Sequence, residues 1–365
     1  MGSLRSVLIA NRGEIAVRII RACRELGIRS IALYSDEDRG ALHTRLADEA
    51  HRLGPAAASE SYLNVERVLA VAGSSGADAI HPGYGLLSEN PRFASVVLDA
   101  GLIFIGPPPQ VIAQMGDKVA ARDAALRSGI PLLPGSSGPV PDPSAAVQAA
   151  ERIGCPVVIK ACFGGGGRGM RVVHRQDDLE AALQAAAREA GAAFGSADVY
   201  LERYVARGRH VEVQILADAH DTIVHLGDRD CSVQRRHQKL IEEAPAPGLS
   251  ARLRSALVDA AVTLTKDVGY RNAGTVEFLV DTRTDDFYFL EMNTRLQVEH
   301  GVSELISGID IVQAQLRIAA GEPLGFTQQD VQMRGCAMQA RIAAEDPFEQ
   351  FRPHTGMIRR IRYPL

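Results

Sequence analysis

Two short runs rich in β-branched and aromatic residues, 275–280 and 287–292, flank the polar stretch DTRTDD and read as a β-hairpin. With a turn centred near Thr284, Glu277 and Glu291 stand opposite each other. Like charges directly across a ladder repel, so the pair calls for a cation between them. Asn293 lies two residues beyond Glu291, on the same face. An all-oxygen set of Glu277, Glu291 and Asn293 suits Mg²⁺ carrying the phosphates of a nucleotide. In the residues that follow, alternation along an extended chain puts Arg295, Gln297 and Glu299 on one side, with Leu296 and Val298 on the other. An arginine fork, an amide and a carboxylate along one line suit a small planar anion and a base acting on it. A solvated strand would explain that alternation, but not the two facing glutamates upstream.

The chain has 365 residues, room for two or three units at roughly 150 residues each. A formal charge of −4 and a pI of about 6.2 argue against a dedicated nucleic-acid binder. The five cysteines lack CxxC spacing, which disfavours disulfides and structural zinc. No apolar run reaches the length of a membrane span, and no secretory segment opens the chain. MGSLRS matches the bare acylation pattern at Gly2 and Ser6, but a buried strand is expected from Val7. These features predict a soluble, cytoplasmic protein.

The opening is a βαβ pattern: a strand at 7–10, then Ile15, Ile19, Ala22, Cys23 and Leu26 at helical spacing, a stop at Gly27 and a strand at 31–34. Further alternation (helix 64–73, strand 79–81, helix 90–101, strand 103–106) predicts an α/β, doubly wound parallel sheet. It lacks the GxGxxG of a dinucleotide site. The Pro/Gly/Ser-rich stretch 131–143 reads as a boundary. Beyond it, a helix at 144–154 and strands at 156–161, 170–173 and 199–202 enclose a glycine loop and a helix at 177–190. The resulting division is 1–115, a linker helix at 116–130, a small lid unit at 131–204 and a larger region at 205–365.

FGGGGRGM joins two of these strands. Four consecutive glycines, Gly164, Gly165, Gly166 and Gly167, forfeit conformational entropy on folding. Backbone N–H groups closing over phosphates would compensate, although a mobile hairpin turn is the alternative. Lys160 ends the strand before this loop, and Lys118 precedes a helix in GDK; both are candidates for phosphate contact. The basic run GDRDCSVQRRHQK, with Arg229, Arg235, Arg236, His237 and Lys239, reads as neutralising a nucleotide and an anionic co-substrate. At YLERYV, adenine can meet backbone groups while Glu202 takes its amino group.

The segments IANRGEIAVRIIRACRELGI, HPGYGLLSEN, VIKACFGGGGRGM, RHVEVQI, RDCSVQRRHQK, EEAPAP, FLEMNTRLQVEH and ARIAAEDP together resemble the biotin carboxylases, members of the ATP-grasp superfamily. The resemblance runs over almost the whole chain. It implies an ATP-grasp fold with a Rossmann-like N-terminal domain and a glycine-loop lid. The implied reaction joins ATP and bicarbonate in carboxyphosphate, whose CO₂ passes to a nitrogen of biotin held on a carrier protein or domain. A separate carboxyltransferase subunit is implied as partner.

Carried over by position, Lys118, Lys160, His210, Gln234 and His237 would contact phosphates or ribose, while Glu202 and the Val205 backbone hold adenine between Met170 and Leu279. Glu277, Glu291 and Asn293 would bind Mg²⁺ or Mn²⁺. Lys239, Arg295, Gln297 and the Val298 backbone would bind bicarbonate, with Glu299 as general base. Arg341 would stabilise the biotin enolate, and Tyr84 would line the biotin pocket.

Three departures stand out: Gly301 in place of the family's usual proline, Ala343 in place of asparagine, and the stretch FRPHTGMIRRIRYPL. The family also continues past the point where this chain stops, adding the rest of the last sheet and part of a dimer contact. Arg21 and Glu25 match the other half of that contact, so a homodimer is implied. No AMKM-type biotinylation site is present. Two other readings stay open: an ATP-grasp ligase acting on a urea, guanidine or amine, and a non-catalytic nucleotide- or partner-binding form.

Overall fold

The computed structural model describes residues 4–136, 138–162, 170–354, 356–357, 359–360 and 362. Gly2 of the acylation pattern and Gly164, Gly165, Gly166 and Gly167 lie outside these residues.

The N-terminal part forms β1 (Ser6–Ile9), α1 (Gly13–Glu25), β2 (Arg29–Ser35), α2 (Leu42–Leu46), β3 (Glu49–Gly54), α3 (Val65–Ser75), β4 (Ala79–His81), α4 (Pro91–Asp99) and β5 (Ile103–Phe104). The five strands run parallel in the order β3-β2-β1-β4-β5. A strand buried on both faces splits its side chains between two cores. Val7 and Ile9 pack with Ile15 and Ile19 of α1, whereas Leu8 packs with Val68 of α3 and Phe93 of α4. Caps set the helix starts: the Asn64, Asn90 and Asp117 side chains accept from Arg67, Phe93 and Val119 backbone N–H groups. β3 has no counterpart in the sequence reading, because EAHRLG mixes charged and apolar residues without clean alternation.

After α5 (Pro109–Gly116) and α6 (Lys118–Arg127), a small unit contains α7 (Pro143–Ile153), β6 (Val157–Ala161), β7 (Arg171–Val173), α8 (Leu179–Phe194) and β8 (Val199–Arg203). Its sheet is antiparallel, in the order β7-β6-β8, and packs on both helices through Ala146, Ala149, Leu183 and Ala186. The stretch expected to be a plain boundary is more than that. Ser136 and Val140 donate backbone hydrogen bonds to Leu201 and Val199 of β8, and Arg203 donates to Pro134.

The rest is β9 (Gly208–Ala217), β10 (Ile223–Arg235), β11 (Gln238–Ala244), α9 (Ala251–Asp267), β12 (Asn272–Asp281), β13 (Asp286–Asn293), α10 (His300–Ser307), α11 (Ile311–Ala319), β14 (Ala337–Ala340), β15 (Glu345–Asp346) and β16 (Arg352–Pro353). Six of these strands form an antiparallel sheet, β13-β12-β9-β10-β11-β14. One face packs on α9 through Val213, Val276, Leu257 and Leu264. Ile311 and Leu316 of α11 share a core with α1, tying the large sheet to the N-terminal one. Among the described residues no helix is long and apolar enough to cross a membrane.

Candidate active site

β12 and β13 form the expected hairpin, with Asp281 paired to Asp286 and Glu277 opposite Glu291. The row extends further than the hairpin. Glu277 also faces Glu212 of β9, and Glu212 faces Arg229 of β10. Four charged side chains therefore stand side by side across four adjacent strands. A lane above, His210 faces Leu279; a lane below, Gln214 faces Thr275, which faces Asn293.

Two buried carboxylates beside a half-buried third need cations. Arg229 has no exposed surface and donates from Nε to Glu212 Oε1 (2.6 Å), from Nη1 to Gln214 (2.7 Å) and Ser303 (2.9 Å), and from Nη2 to Thr275 (3.2 Å). Lys239 brings its Nζ to Glu212 (2.5 Å), Glu277 (2.8 Å) and Glu299 (2.7 Å). His210 Nε2 lies 2.7 Å from Glu277 Oε2, and its Nδ1 meets the Gln234 amide at 2.8 Å. Asn293 and Gln297 donate to Glu277 Oε1 at 2.8 and 3.1 Å.

These surroundings set the proton affinities. Burial disfavours ionised Glu277, but Lys239 and His210 outweigh it and hold the carboxyl well below its ordinary range. Burial and the neighbouring Glu277 charge push Glu291 up. Among the described residues Glu291 has no cation within ion-pair distance. Burial likewise opposes ionised Glu299, yet Lys239, Arg229 and Arg341 bring it down to about 2. Burial would depress His210, but Glu277 raises it above its ordinary value.

The chain after β13 does not continue as the extended strand expected. It turns at Val298 and Glu299, and Glu299 takes the N-cap position of α10. The turn still gathers the three side chains. Arg295 donates to Gln297 and to Asn293 Oδ1, each at 2.8 Å, and through Nε to Glu89 at 2.8 Å. The Val298 carbonyl meets the Gln339 amide at 3.5 Å. Arg341 donates to Glu242 (2.6 Å) and Glu299 (3.1 Å). Tyr84 donates to Glu14, whose carboxyl burial pushes up, partly offset by the Arg341 charge. A cavity of about 330 Å³ opens between α6 and β13, lined by Glu89, Lys118, Glu291, Asn293 and Arg295 among others. Burial pushes the Lys118 ammonium below its ordinary pKa, partly offset by Glu291.

Other expected residues lie apart from this centre. Glu202 on β8 is an ion-pair partner of Lys160 (2.5 Å) and Arg122. Met170 and Leu279 are half-buried; Met170 immediately precedes β7 of the small sheet, Leu279 lies on β12 of the large one, and Val205 follows β8. A Cβ at Gly208 would lie 2.6 Å from Leu279 Cδ1, so glycine on β9 makes room for that side chain. The basic run does not act as one cluster. Arg229 points inward, Arg235 pairs with Glu345 and lies 4.2 Å from the Phe351 ring, and Arg236 and His237 occupy the exposed β10–β11 turn. Glu212, Glu89, Glu242 and Glu14 were missed. For Glu212 the only signal was an acid inside the alternating run RHVEVQI.

Comparison with known proteins agrees with this geometry. Residues 3–112 match the biotin carboxylase N-terminal domain family, and 117–327 match the family of the carbamoyl-phosphate synthase L chain ATP-binding domain. Biotin carboxylase from Pseudomonas aeruginosa is 52% identical over 99% of this chain and 80% of its own. A pyruvate carboxylase subunit from Methanothermobacter thermautotrophicus is 51% identical over 98% of this chain and 72% of its own. Among solved structures, the biotin carboxylase domain dimer of Hydrogenobacter thermophilus 2-oxoglutarate carboxylase, with MgADP, ADP and bicarbonate, superposes with a TM-score of 0.96 at 46% identity, covering 100% of this chain and 80% of that one. The Campylobacter jejuni biotin carboxylase–β,γ-ATP complex gives 0.93 at 47% identity, covering 96% and 78%.

Proposed function

This chain belongs to the biotin carboxylase family, and from that premise we propose how its residues divide the work of carboxylating biotin with ATP and bicarbonate. The observation that carries the reading is Lys239, whose one ammonium joins Glu212, Glu277 and Glu299. It couples the acidic row of the sheet to the acid at the head of α10.

Glu277, Glu291 and Asn293 would hold Mg²⁺ or Mn²⁺. The fit rests on Glu291, a carboxylate without a cation among the described residues, whose charge is disfavoured by burial and by Glu277 across the ladder. Bound there, the metal supplies charge neutralisation for the nucleotide's phosphates. Lys118, at the N-terminus of α6, faces the same cavity. Lys160, His210, Gln234, His237 and the lid glycines would complete the phosphate contacts, with Glu202, Val205, Met170 and Leu279 toward adenine.

Bicarbonate would lie among Arg295, Gln297, Lys239 and the Val298 backbone. Glu299 then takes its proton, and the bicarbonate oxygen attacks the γ-phosphorus while the bond to the β,γ-bridging oxygen breaks, giving carboxyphosphate and ADP. A carboxyl with a pKa of about 2 is a weak base. Glu299 gains proton affinity as Lys239 turns part of its charge toward the incoming bicarbonate. Breakdown of carboxyphosphate gives CO₂ and phosphate; the phosphate takes the proton of biotin's ureido N–H, and the nitrogen then bonds to the carbon of CO₂. Arg341 and Tyr84 would face that acceptor.

We also propose that biotin arrives on a carrier protein or domain, that a carboxyltransferase consumes the product, and that 1–115, 116–130, 131–204 and 205–365 are the working units. Relatives named for biotin carboxylation do not favour a urea, guanidine or amine as acceptor. The test is ADP release with and without bicarbonate and free biotin. Dependence on bicarbonate, with stimulation by biotin, is expected; ADP release indifferent to both would overturn the reading.

A further inference from the structure

Arg341 leaves β14 at a point where the strand is fastened to β11: Ala340 pairs with Ile241, Gln339 pairs with Glu242, and the Arg341 N–H donates to the Leu240 carbonyl at 2.9 Å. Its guanidinium bridges two carboxylates with no exposed side-chain surface. Nε donates to Glu242 Oε1 at 2.6 Å and Nη2 to Glu299 Oε2 at 3.1 Å. Among the described residues Nη1 makes no hydrogen bond, and the arginine side chain keeps 31% of its surface exposed. Glu242 is unusual in the opposite sense. Among the described residues its Oε2 is buried without a hydrogen-bond partner, and Lys239, which holds Glu212, Glu277 and Glu299, makes no hydrogen bond to it.

An enclosed carboxylate with one satisfied oxygen is costly to bury. Among the described residues its side chain serves a single partner, Arg341. A charge-assisted bond at Nε fixes the inner edge of the guanidinium. That leaves the Nη edge to exchange Glu299 for another oxygen on the side of Glu14, which feels the Arg341 charge, and its partner Tyr84.

We infer that Glu242 is a positioning residue for the acceptor half of the reaction, holding Arg341 so that its Nη groups meet the ureido oxygen of biotin. This rests on the functional reading above. Without Glu242 the guanidinium stays on Glu299, its remaining anionic partner. That hampers the acceptor step and leaves less effect on carboxyphosphate formation.

The test is Glu242→Gln in the full chain, comparing ADP release with saturating free biotin and without biotin in the same sample. The ratio of the two rates does not depend on the folded fraction. That ratio is expected to fall on the order of tenfold or more, since displacing a group by about 1 Å can cost 10²-fold. In an Arg341→Gln background, Glu242→Gln is expected to lower the ratio no further. A ratio within twofold of the parent, or an additional drop in the Arg341→Gln background, would overturn the inference while leaving the parent's biotin stimulation intact. A parent without biotin stimulation would overturn the underlying reading and the inference together.

Discussion

Glu212 and Glu277 face each other across the β9–β12 ladder, and Lys239 Nζ sits between them at 2.5 and 2.8 Å. Two like charges in direct register would weaken the sheet. Here the shared ammonium turns the repulsion into a fixed position for Glu299, which takes Lys239's third contact at 2.7 Å.

Replacing Lys239 should therefore be a stability defect as well as a catalytic one. Lys239→Gln leaves three buried acids with less compensation, and breaking a buried pair costs about 3–5 kcal/mol. Urea denaturation at pH 7.5 and pH 5 measures it. The loss should shrink at the lower pH, where the stranded carboxyls protonate.

Glu291 should behave in the opposite way. Its pKa is raised by burial and by Glu277, so its ionised form works against the fold. Glu291→Gln should raise Tm in EDTA at pH 8, by a gain on the order of 0.5–1 kcal/mol from relieved cross-strand repulsion. The same variant should need more Mg²⁺ for half-maximal ADP release. A fall in Tm, with unchanged Mg²⁺ dependence, would count against the metal assignment.

Acid sensitivity should come partly from His300. Burial brings this imidazole down to about 4, and its Nδ1 meets the Gln297 carbonyl at 2.8 Å. Folded His300 is neutral where the unfolded chain already binds a proton. Its contribution is complete above pH 6.5, declines as pH falls toward 4, and amounts to up to about 3 kcal/mol. His300→Asn, which can still donate to Gln297, should flatten the stability–pH curve in that window. A curve that overlays the parent's would contradict this.

Much of the site was legible where the information is local. The Glu277–Glu291 pairing follows from two β-rich runs and the length of the turn between them. Glu212 was not legible, because its place in the row depends on β9 pairing with β12, some sixty residues away. Arg229 and His237 sit in one basic run, yet one is wholly buried and the other lies in an exposed turn. Composition cannot separate them; strand register and the tight β10–β11 turn do. Alternation in 295–299 suggested an extended chain, but the N-cap of α10 bends it, and the same side chains converge by a different route. Glycine and proline in 131–143 signalled a break, yet such residues leave backbone groups available, and β8 pairs with them.

The most direct measurement of the central claim is bicarbonate-dependent ADP release by Glu299→Gln, alongside ATP binding by the same variant. The glutamine keeps the volume at the head of α10 but cannot take a proton. The account predicts a loss of about 10²–10⁴-fold in turnover, with ATP affinity close to the parent's. Turnover within twofold of the parent would contradict it.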